Sequence, residues 1–234
     1  MTIQEKIKQF TLEFDPILEN EISQLVDQQL EFHPAQTVLD AQLKFNIQEY
    51  AKNGKRVRPF LISFFAGKNL ADRDLLHMAV ASELFHLAAL LQDDVMDASK
   101  IRRGVPTLNA IGDNLSRNNS HLGDHVGVLL GDVFLTRSIE FASRLPEPIF
   151  KEFITMIQRT TRGQYLDAFG MNEDYGTSSL EDVLARHDLK TAWYTFASPA
   201  RIGYMLSDNP DQGTLEVLST TVRELGLLFQ IRDD

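Results

Sequence analysis

An acidic cluster follows the most apolar stretch of the sequence. It is the motif DDVMD, formed by Asp93, Asp94 and Asp97. Residues at spacings of three and four share one face of a helix, where like charges repel one another. A bound cation is a physical reason to keep such carboxylates together, and their hard oxygen atoms suit Mg²⁺, which usually keeps waters and bridges to phosphate. The alternative is a solvated acidic helix end.

Two basic segments flank this cluster. Arg102 and Arg103 directly follow it, and Lys55, Arg56 and Arg58 stand in GKRVRP before an apolar segment. The planar fork of arginine binds diphosphate oxygens well, and a basic loop at a helix entry adds backbone N–H groups and the helix dipole. Each segment alone could equally be charge neutralisation or a solvated loop. Together with the acids they predict a polyphosphate site that uses a metal ion.

A second pair of acids, Asp233 and Asp234, ends the segment LLFQIRDD. Two helices that deliver Asp pairs to one place would hold more than one metal ion around one phosphate group.

The elements that must position these residues are predicted to be helices throughout. Apolar residues recur at three- and four-residue steps over Ile3–Leu30, and a central helix is predicted over residues 71–98 because Met78–Leu91 is apolar nearly all round. No alternating stretch of useful length indicates a strand. Breaks are predicted at residues 33–34, 71–72, 112–123, 146–148, 170–179 and 208–210. The prediction is one all-α domain over residues 1–234.

Composition excludes several classes of protein. The 234 residues include no cysteine, which excludes disulfides, Cys-ligated metal centres and thiol nucleophiles. The net charge of −10 disfavours a nucleic-acid partner. The N-terminus is charged where a signal peptide needs an apolar core. The apolar stretch Met78–Gln92, which Glu83 and His86 interrupt, is too short to span a bilayer. We therefore expect a cytoplasmic protein without a membrane span.

Eight segments in order, from residue 52 onward, resemble the all-α trans-prenyltransferases, the polyprenyl diphosphate synthase family that includes farnesyl and geranylgeranyl diphosphate synthases. They are GKRVRP, ELFH, DDVMD, RRG, Gly131-Asp132, GQYLD, Lys190-Thr191 and FQIRDD. The resemblance implies an isoprenoid synthase fold of mostly antiparallel helices around a deep central cavity, usually as a homodimer. It implies Mg²⁺-dependent condensation of isopentenyl diphosphate with an allylic diphosphate (dimethylallyl, geranyl or farnesyl), with three Mg²⁺ ions per site when diphosphate is bound.

The resemblance also implies residue roles. The metal ligands would be Asp93, Asp94, Asp97, Asp233 and Asp234. Isopentenyl diphosphate would be held by Lys55, Arg58, His86 and Arg103, and the allylic diphosphate by Arg102, Lys190 and the metals. The reacting centre would be lined by Thr191, Gln164, Asp167 and Gln230.

Plainer interpretations stay open for single residues. Gln164 and Asp167 could be a helix-surface pair, Asp132 an N-cap and His86 a buried histidine with a hydrogen bond. The usual double glycine before the lysine is Asn53-Gly54 here. Members of the family continue past the position of Asp234 with further helices, so the resemblance predicts that the family's C-terminal helices are lacking.

Product length is predicted from the residues before the first acidic motif. In the family the growing chain runs along this helix, and bulky residues stop it. Ala88 and Ala89 lie about 6–7.5 Å from Asp93 along a helix axis, and Phe85 about 12 Å. The small alanines predict a product of C20 or longer with Phe85 as the floor, although Phe85 could be plain core.

Three other interpretations compete with a catalytic synthase. A class I terpene cyclase would share the first acidic motif, but is not expected to carry GKRVRP or FQIRDD. A non-catalytic or partner-dependent subunit of a heteromeric synthase typically loses acids or arginines, which this chain retains. A structural helical protein would not be stabilised by Mg²⁺ and diphosphate.

Overall fold

The structure is a computed structural model. It describes residues 1–30, 38–52, 54–115, 121–170, 179, 181, 185 and 188–233. Within these ranges, the side chains of residues 30, 38–43, 114–115, 169–170, 190–191 and 229–233 are outside the description.

The described residues are almost entirely helical, which confirms the predicted all-α class. The helices are α1 Ile3–Leu30, α2 Val38–Ala51, α3 Val57–Ala66, α4 Arg73–Met96, α5 Leu108–Leu115, α6 Leu122–Ala142, α7 Glu147–Gly170, a π-helix Asp188–Ala197, α8 Ser198–Met205 and α9 Gln212–Asp233. A short antiparallel hairpin pairs β1 Ile101–Arg102 with β2 Val105–Pro106. The bounds of α1 are those that the periodicity predicted.

Most of the predicted breaks fall between helices, but the one at residues 112–123 is too wide. Gly112 lies inside α5 and Gly123 inside α6. These glycines permit close helix contact: a Cβ on Gly123 would lie 1.7 Å from the carbonyl oxygen of Asn109, and one on Gly112 would lie 2.5 Å from the Cα of Gly123. The break at 33–34 and residues 171–178 of the break at 170–179 lie outside the described residues.

The chain divides into two compact units, and the single domain over 1–234 stays a prediction. The first unit comprises residues 1–56 and 84–138. Its core includes Phe14, Leu18 and Ile22 on one face of α1, all fully buried, because apolar residues at steps of three and four form a single stripe. Helix α2 packs against α1, α5 and β2.

The second unit comprises residues 57–83 and 139–234. The π-helix packs against α7 and α9, and α3 packs against α8. The approach of α3 to α8 is close because Gly203 has no side chain: a Cβ there would lie 2.4 Å from the carbonyl oxygen of Ile62. Arg201 of α8 donates two hydrogen bonds to Glu152 of α7, at 2.8 and 3.0 Å.

Sequence periodicity predicts ordinary helix where the structure has a π-helix over Asp188–Ala197. Its hydrogen bonds join residues five apart, so a residue lies above its neighbours four and five positions along. The π-helix is rare, and where it occurs it is mostly a single turn within an α-helix, frequently at a functional site. Lys190 and Thr191 lie in this segment.

Among the described helices, α4 is long and apolar enough to cross a membrane by length and composition. The helix extends over Arg73–Met96, which is two residues shorter at each end than the predicted helix 71–98 and longer than the apolar stretch Met78–Gln92. Of its most apolar window, 72% is buried within the chain. A mostly buried core helix passes the same test, so this finding is weak support for a span.

Candidate functional site

The first acidic cluster lies at the C-terminal end of α4, within the first unit. The amide N–H of Asp97 donates to the carbonyl oxygen of Asp93 over 2.8 Å, so the helical turn continues through the motif. Asp97 is exposed, Asp93 is half-buried and Asp94 is only 2% exposed. The three predicted ligands therefore have different surroundings.

Arg102 binds the buried member of the cluster. Its Nε and Nη2 donate to Oδ1 of Asp94 over 2.7 and 2.5 Å, and Nη2 also lies 3.4 Å from Oδ2 of Asp93. Burial raises the pKa of the Asp94 carboxyl, and Arg102 opposes this shift. Burial also lowers the pKa of Arg102, but hydrogen bonding and the charge of Asp94 outweigh it and raise that pKa. Arg102 and Asp94 thus form a charge-paired unit at the edge of the cluster.

Asn109 ties the cluster to the turn that follows it. Its Nδ2 donates to the carbonyl oxygens of Asp94 and Ser99, over 3.3 and 3.1 Å. The hydroxyl of Thr107 donates to the same Ser99 oxygen over 2.7 Å. Asn109 and Thr107 are buried. Their roles could not be predicted from the sequence, because neither residue belongs to a recognisable motif.

The Gly131-Asp132 motif contacts Gln92, the residue directly before the acidic cluster. Asp132 Oδ1 accepts a hydrogen bond of 3.0 Å from Nε2 of Gln92, and a Cβ on Gly131 would lie 2.8 Å from Cγ of Gln92. One turn earlier, a Cβ on Gly127 would lie 2.6 Å from Cγ2 of Val95. The two glycines let α6 approach the last turns of α4 closely. Asp132 lies in the middle of α6, so the N-cap interpretation is wrong.

The loop between α2 and α3 exposes Lys55 and buries Arg56. Arg56 Nε donates to Oδ1 of Asp15 over 2.6 Å, and its Nη2 donates to the carbonyl oxygen of Ala51 over 2.6 Å. Arg103 Nη1 donates to the carbonyl oxygens of Tyr50 and Lys52, over 3.1 and 3.4 Å. Both arginines therefore bind carbonyl groups at the C-terminal end of α2, where a helix leaves such groups unpaired.

In the second unit, Arg58 is bound to the π-helix. Its Nη2 donates to the hydroxyl of Thr195 over 2.8 Å, and its Cζ lies 4.0 Å from the centre of the Tyr194 ring. Burial raises the pKa of Tyr194 to about 12; the charge of Arg58 opposes this shift and that of Glu83 adds to it. Tyr194 and Thr195 could not be predicted from the sequence, because contacts with a residue 136 or 137 positions away leave no local pattern.

Several predicted site residues share the second unit with Arg58. Gln164 and Asp167 are half-buried and three apart on α7, which packs against the π-helix. The backbone of α9 approaches the π-helix so closely that a Cβ on Gly226 would lie 2.7 Å from the Cα of Ala192. The side chains of Lys190, Thr191, Gln230 and Asp233 are outside the description, and Asp234 lies outside the described residues altogether.

The residues predicted to limit product length lie on α4 in the first unit. Phe85 is 5% and Ala88 1% exposed, whereas Ala89 and His86 are half-buried. Their burial is compatible with both the floor and the core interpretation of Phe85.

The donor set of the cluster fits a metal ion that also binds a phosphate. Within the described ranges no group of three His, Cys, Asp or Glu residues is close enough to hold a metal by itself. Asp93 and Asp97 lie one turn apart, and Oδ2 of buried Asp94 has no hydrogen-bond partner among the described side chains. Mg²⁺ is commonly held by one or two carboxylates with substrate phosphates and waters completing its shell.

Comparison with known proteins establishes the class. The Polyprenyl synthetase family matches residues 40–234. The chain belongs to this family.

Curated relatives carry several names. A prenyl transferase of Synechocystis sp. is 31% identical over 79% of this chain and 54% of its own length. A nonaprenyl diphosphate synthase of Mycobacterium tuberculosis is 32% identical over 91% of this chain and 58% of its own. A heptaprenyl diphosphate synthase component 2 of Geobacillus stearothermophilus is 30% identical over 77% and 53%. The chain thus spans about half the length of the curated relatives it matches.

A solved structure of similar fold is the geranylgeranyl pyrophosphate synthase of Corynebacterium glutamicum, complexed with isoprenyl diphosphate and magnesium. Its TM-score is 0.76 at 24% identity, over 95% of this chain and 67% of that one. This likeness confirms the predicted isoprenoid synthase fold.

Proposed function

We propose that this chain is a Mg²⁺-dependent prenyltransferase that condenses isopentenyl diphosphate with an allylic diphosphate. The observation that carries the proposal is the end of α4, where Asp93, Asp94 and Asp97 lie beside Arg102. A diphosphate is the anion that needs both kinds of group, since metal-bridging carboxylates and an arginine fork bind its oxygens from different sides. Family membership supports the same substrate class.

The residues divide the work between two diphosphates. Lys55, Arg58, His86 and Arg103 bind isopentenyl diphosphate, and Arg102 with Lys190 binds the allylic diphosphate. Mg²⁺ held by Asp93 and Asp97, with Asp94, Asp233 and Asp234 as the remaining ligands, would neutralise charge on the departing diphosphate. Three ions per site with diphosphate bound belong to this proposal.

The reaction breaks the allylic C–O bond and forms one C–C bond. Loss of diphosphate leaves an allylic cation, which the isopentenyl double bond attacks, and the departed diphosphate takes the proton that is lost. Thr191, Gln164, Asp167 and Gln230 line this reacting centre. Apolar walls exclude water that would otherwise quench the cation.

The proposed product is C20 or longer. Small residues at Ala88 and Ala89 would leave room for the growing chain along α4, and Phe85, which is buried, would close that room one turn further. The names of two relatives, a nonaprenyl diphosphate synthase and a heptaprenyl diphosphate synthase component 2, are compatible with this length. Phe85→Ala is expected to lengthen the product, measured by chromatography of dephosphorylated products; an unchanged distribution would count against Phe85 as the floor.

The assembly and location belong to the same proposal. We infer a homodimer in the cytoplasm. The net charge of −10 disfavours nucleic acid as a partner. Light scattering of the purified chain measures the oligomeric state.

A partner-dependent subunit is the second candidate. The observation that favours it is the similarity to a heptaprenyl diphosphate synthase component 2, a protein named as part of an assembly. This candidate predicts that the chain binds Mg²⁺ and inorganic pyrophosphate, seen as a rise in melting temperature, but forms no product alone.

The deciding experiment is a condensation assay with labelled isopentenyl diphosphate, Mg²⁺ and a C5, C10 or C15 primer. We expect Mg²⁺-dependent product, lost in Asp93→Asn and retained in Asp208→Asn, a control that neutralises a surface acid 87% exposed. Absence of product with all three primers would refute catalysis by the chain alone. A melting temperature unchanged by Mg²⁺ and pyrophosphate would favour a structural protein.

A further inference from the structure

Arg56 is a buried cation in the middle of an exposed basic loop. Its side chain is 1% exposed, whereas its neighbour Lys55 faces solvent. A guanidinium is costly to bury unless its charge is paired and its N–H groups are hydrogen-bonded. Asp15 supplies the paired charge at 2.6 Å, and the carbonyl oxygen of Ala51 accepts a further hydrogen bond.

The backbone next to Lys55 lies close to the Arg56 side chain. Arg56 has φ +49°, in the left-handed region that a residue other than glycine rarely adopts. A Cβ on Gly54 would lie 2.4 Å from Nη1 of Arg56, so the backbone before Lys55 lies directly against the guanidinium. Of the two residues that flank Lys55, one is therefore Arg56 itself and the other, Gly54, lies against its guanidinium.

Arg103 supports the same loop from the hairpin. It hydrogen-bonds the carbonyl oxygens of Tyr50 and Lys52, and its Nη1 would lie 3.6 Å from a Cβ on Gly54. Loss of the Arg56 contacts would thus change the position of Lys55 relative to Arg103, although neither residue would lose its charge.

Asp15 belongs to α1, outside the residues 40–234 that match the family. It is 41 positions from Arg56 in the chain. The ion pair therefore joins a helix without any predicted site residue to the loop that carries Lys55.

We propose that Asp15 and Arg56 are a positioning pair that holds the Lys55 loop in the conformation required to bind the diphosphate of isopentenyl diphosphate. The choice of ligand rests on the proposed function, whereas the Asp15–Arg56 ion pair and the conformation of the Lys55 loop do not depend on it. Asp15 and Arg56 touch no substrate; they act through Lys55.

The test compares Asp15→Asn with Glu21→Gln. Glu21 is a matched control because it lies on the same helix, forms an ion pair with Arg137 at 3.3 Å and is 23% exposed at the side chain, against 29% for Asp15. Asp15→Glu, which keeps the charge, is the conservative variant. Circular dichroism melting establishes that each variant folds.

We expect Asp15→Asn to raise the KM for isopentenyl diphosphate about tenfold, the factor that corresponds to about 1.4 kcal/mol. The KM for the allylic primer is expected to stay within about twofold of wild type, a change of less than about 0.5 kcal/mol. Asp15→Glu should restore much of the loss, and Glu21→Gln should leave both KM values unchanged. Hydrogen exchange at the amides of Gly54 and Lys55 should be faster in Asp15→Asn alone.

Unchanged exchange at Gly54 and Lys55 in Asp15→Asn would overturn the proposal. An equal rise of both KM values, or the same change in Glu21→Gln, would overturn it as well, because either result is what general destabilisation produces. A wild-type chain that forms no product refutes the proposed function instead. In that case the comparison of amide exchange in Asp15→Asn and Glu21→Gln still decides whether Asp15 and Arg56 hold the Lys55 loop in place.

Discussion

Replacing Gly203 with alanine is predicted to separate α8 from α3. The added Cβ would lie 2.4 Å from the carbonyl oxygen of Ile62 and 3.0 Å from its Cα, whereas ordinary van der Waals contact begins at 3.4 Å. Both contacting atoms belong to the backbone of α3, so no side chain can rotate away. The helices must therefore move apart by about 1 Å, the shortfall at the shorter contact.

The size of the effect follows from two opposing contributions. Overpacking of a well-packed contact costs about 1–3 kcal/mol, and the higher helix propensity of alanine returns about 1 kcal/mol. The difference between the two contributions is a loss of about 0–2 kcal/mol in the free energy of unfolding. Because backbone atoms meet, we expect the upper half of this range, about 1–2 kcal/mol. For a chain of this length that loss lowers Tm by about 2–8 °C.

The same movement should affect binding by Arg58, which α3 carries. Its hydrogen bond to Thr195 measures 2.8 Å, and a 1 Å displacement would lengthen it to about 3.8 Å, beyond the usual limit for a hydrogen bond. We expect the KM for isopentenyl diphosphate to rise several-fold, measured in the condensation assay together with Tm by calorimetry.

Gly213→Ala is the matched control. Gly213 lies in the first turn of α9, and a Cβ there would meet only Oδ1 of Asp211, at an ordinary distance of 3.5 Å. It should leave KM unchanged and Tm unchanged or slightly raised, because alanine lowers the conformational entropy of the unfolded chain. A Gly203→Ala protein as stable as Gly213→Ala would refute the inference that backbone contact sets the distance between α3 and α8.

Three further predictions concern other parts of the chain. A double-mutant cycle of Gln92→Ala and Asp132→Ala should give a coupling of about 0.5–1 kcal/mol in the free energy of unfolding; strict additivity would contradict the hydrogen bond. The amide N–H and hydroxyl of Thr214, with a smaller contribution from Tyr204, lower the pKa of Asp211 to about 2. Its stabilising effect is therefore present above its ordinary value of 3.8 and lost as pH falls towards 2, so the stability difference between wild type and Asp211→Asn should shrink over that range in acid titrations. In the presence of Mg²⁺, inorganic pyrophosphate at about one hundred times the Kd of pyrophosphate should stabilise the chain by about 2.7 kcal/mol in thermal melts. The same stabilisation of Asp93→Asn would contradict the metal assignment.

Helix bounds and the position of the acidic cluster were predicted from the sequence, because both depend on residues that are close together in the chain. The bounds of α1 follow from apolar spacing, and the position of the acidic cluster at the end of α4 follows from the change of composition after Leu91. The partner of Arg56 could not be predicted, because Asp15 lies 41 positions away and nothing near it differs from an ordinary helix surface.

Two other features escaped prediction for different physical reasons. The three acids of DDVMD are all aspartates and cannot be distinguished in the sequence. The burial of Asp94 and its pairing with Arg102 result from tertiary packing. Periodicity analysis assumes 3.6 residues per turn, so it could identify helix near Lys190 but not the π-helix.

The π-helix has a consequence for the alignment of the residues before and after it. An α-helix turns 100° per residue, so it would put Thr195 on nearly the opposite side of the axis from Lys190. Pairing of residues five apart brings positions 190 and 195 to neighbouring places on the surface of the segment. Thr195 is the partner of Arg58, so the wider helical turn places the residue that binds Arg58 of α3 next to the Lys190 backbone on the surface of the segment. A change of this segment to an α-helix of the same length would place positions 190 and 195 about 140° apart around the axis, without altering any charge.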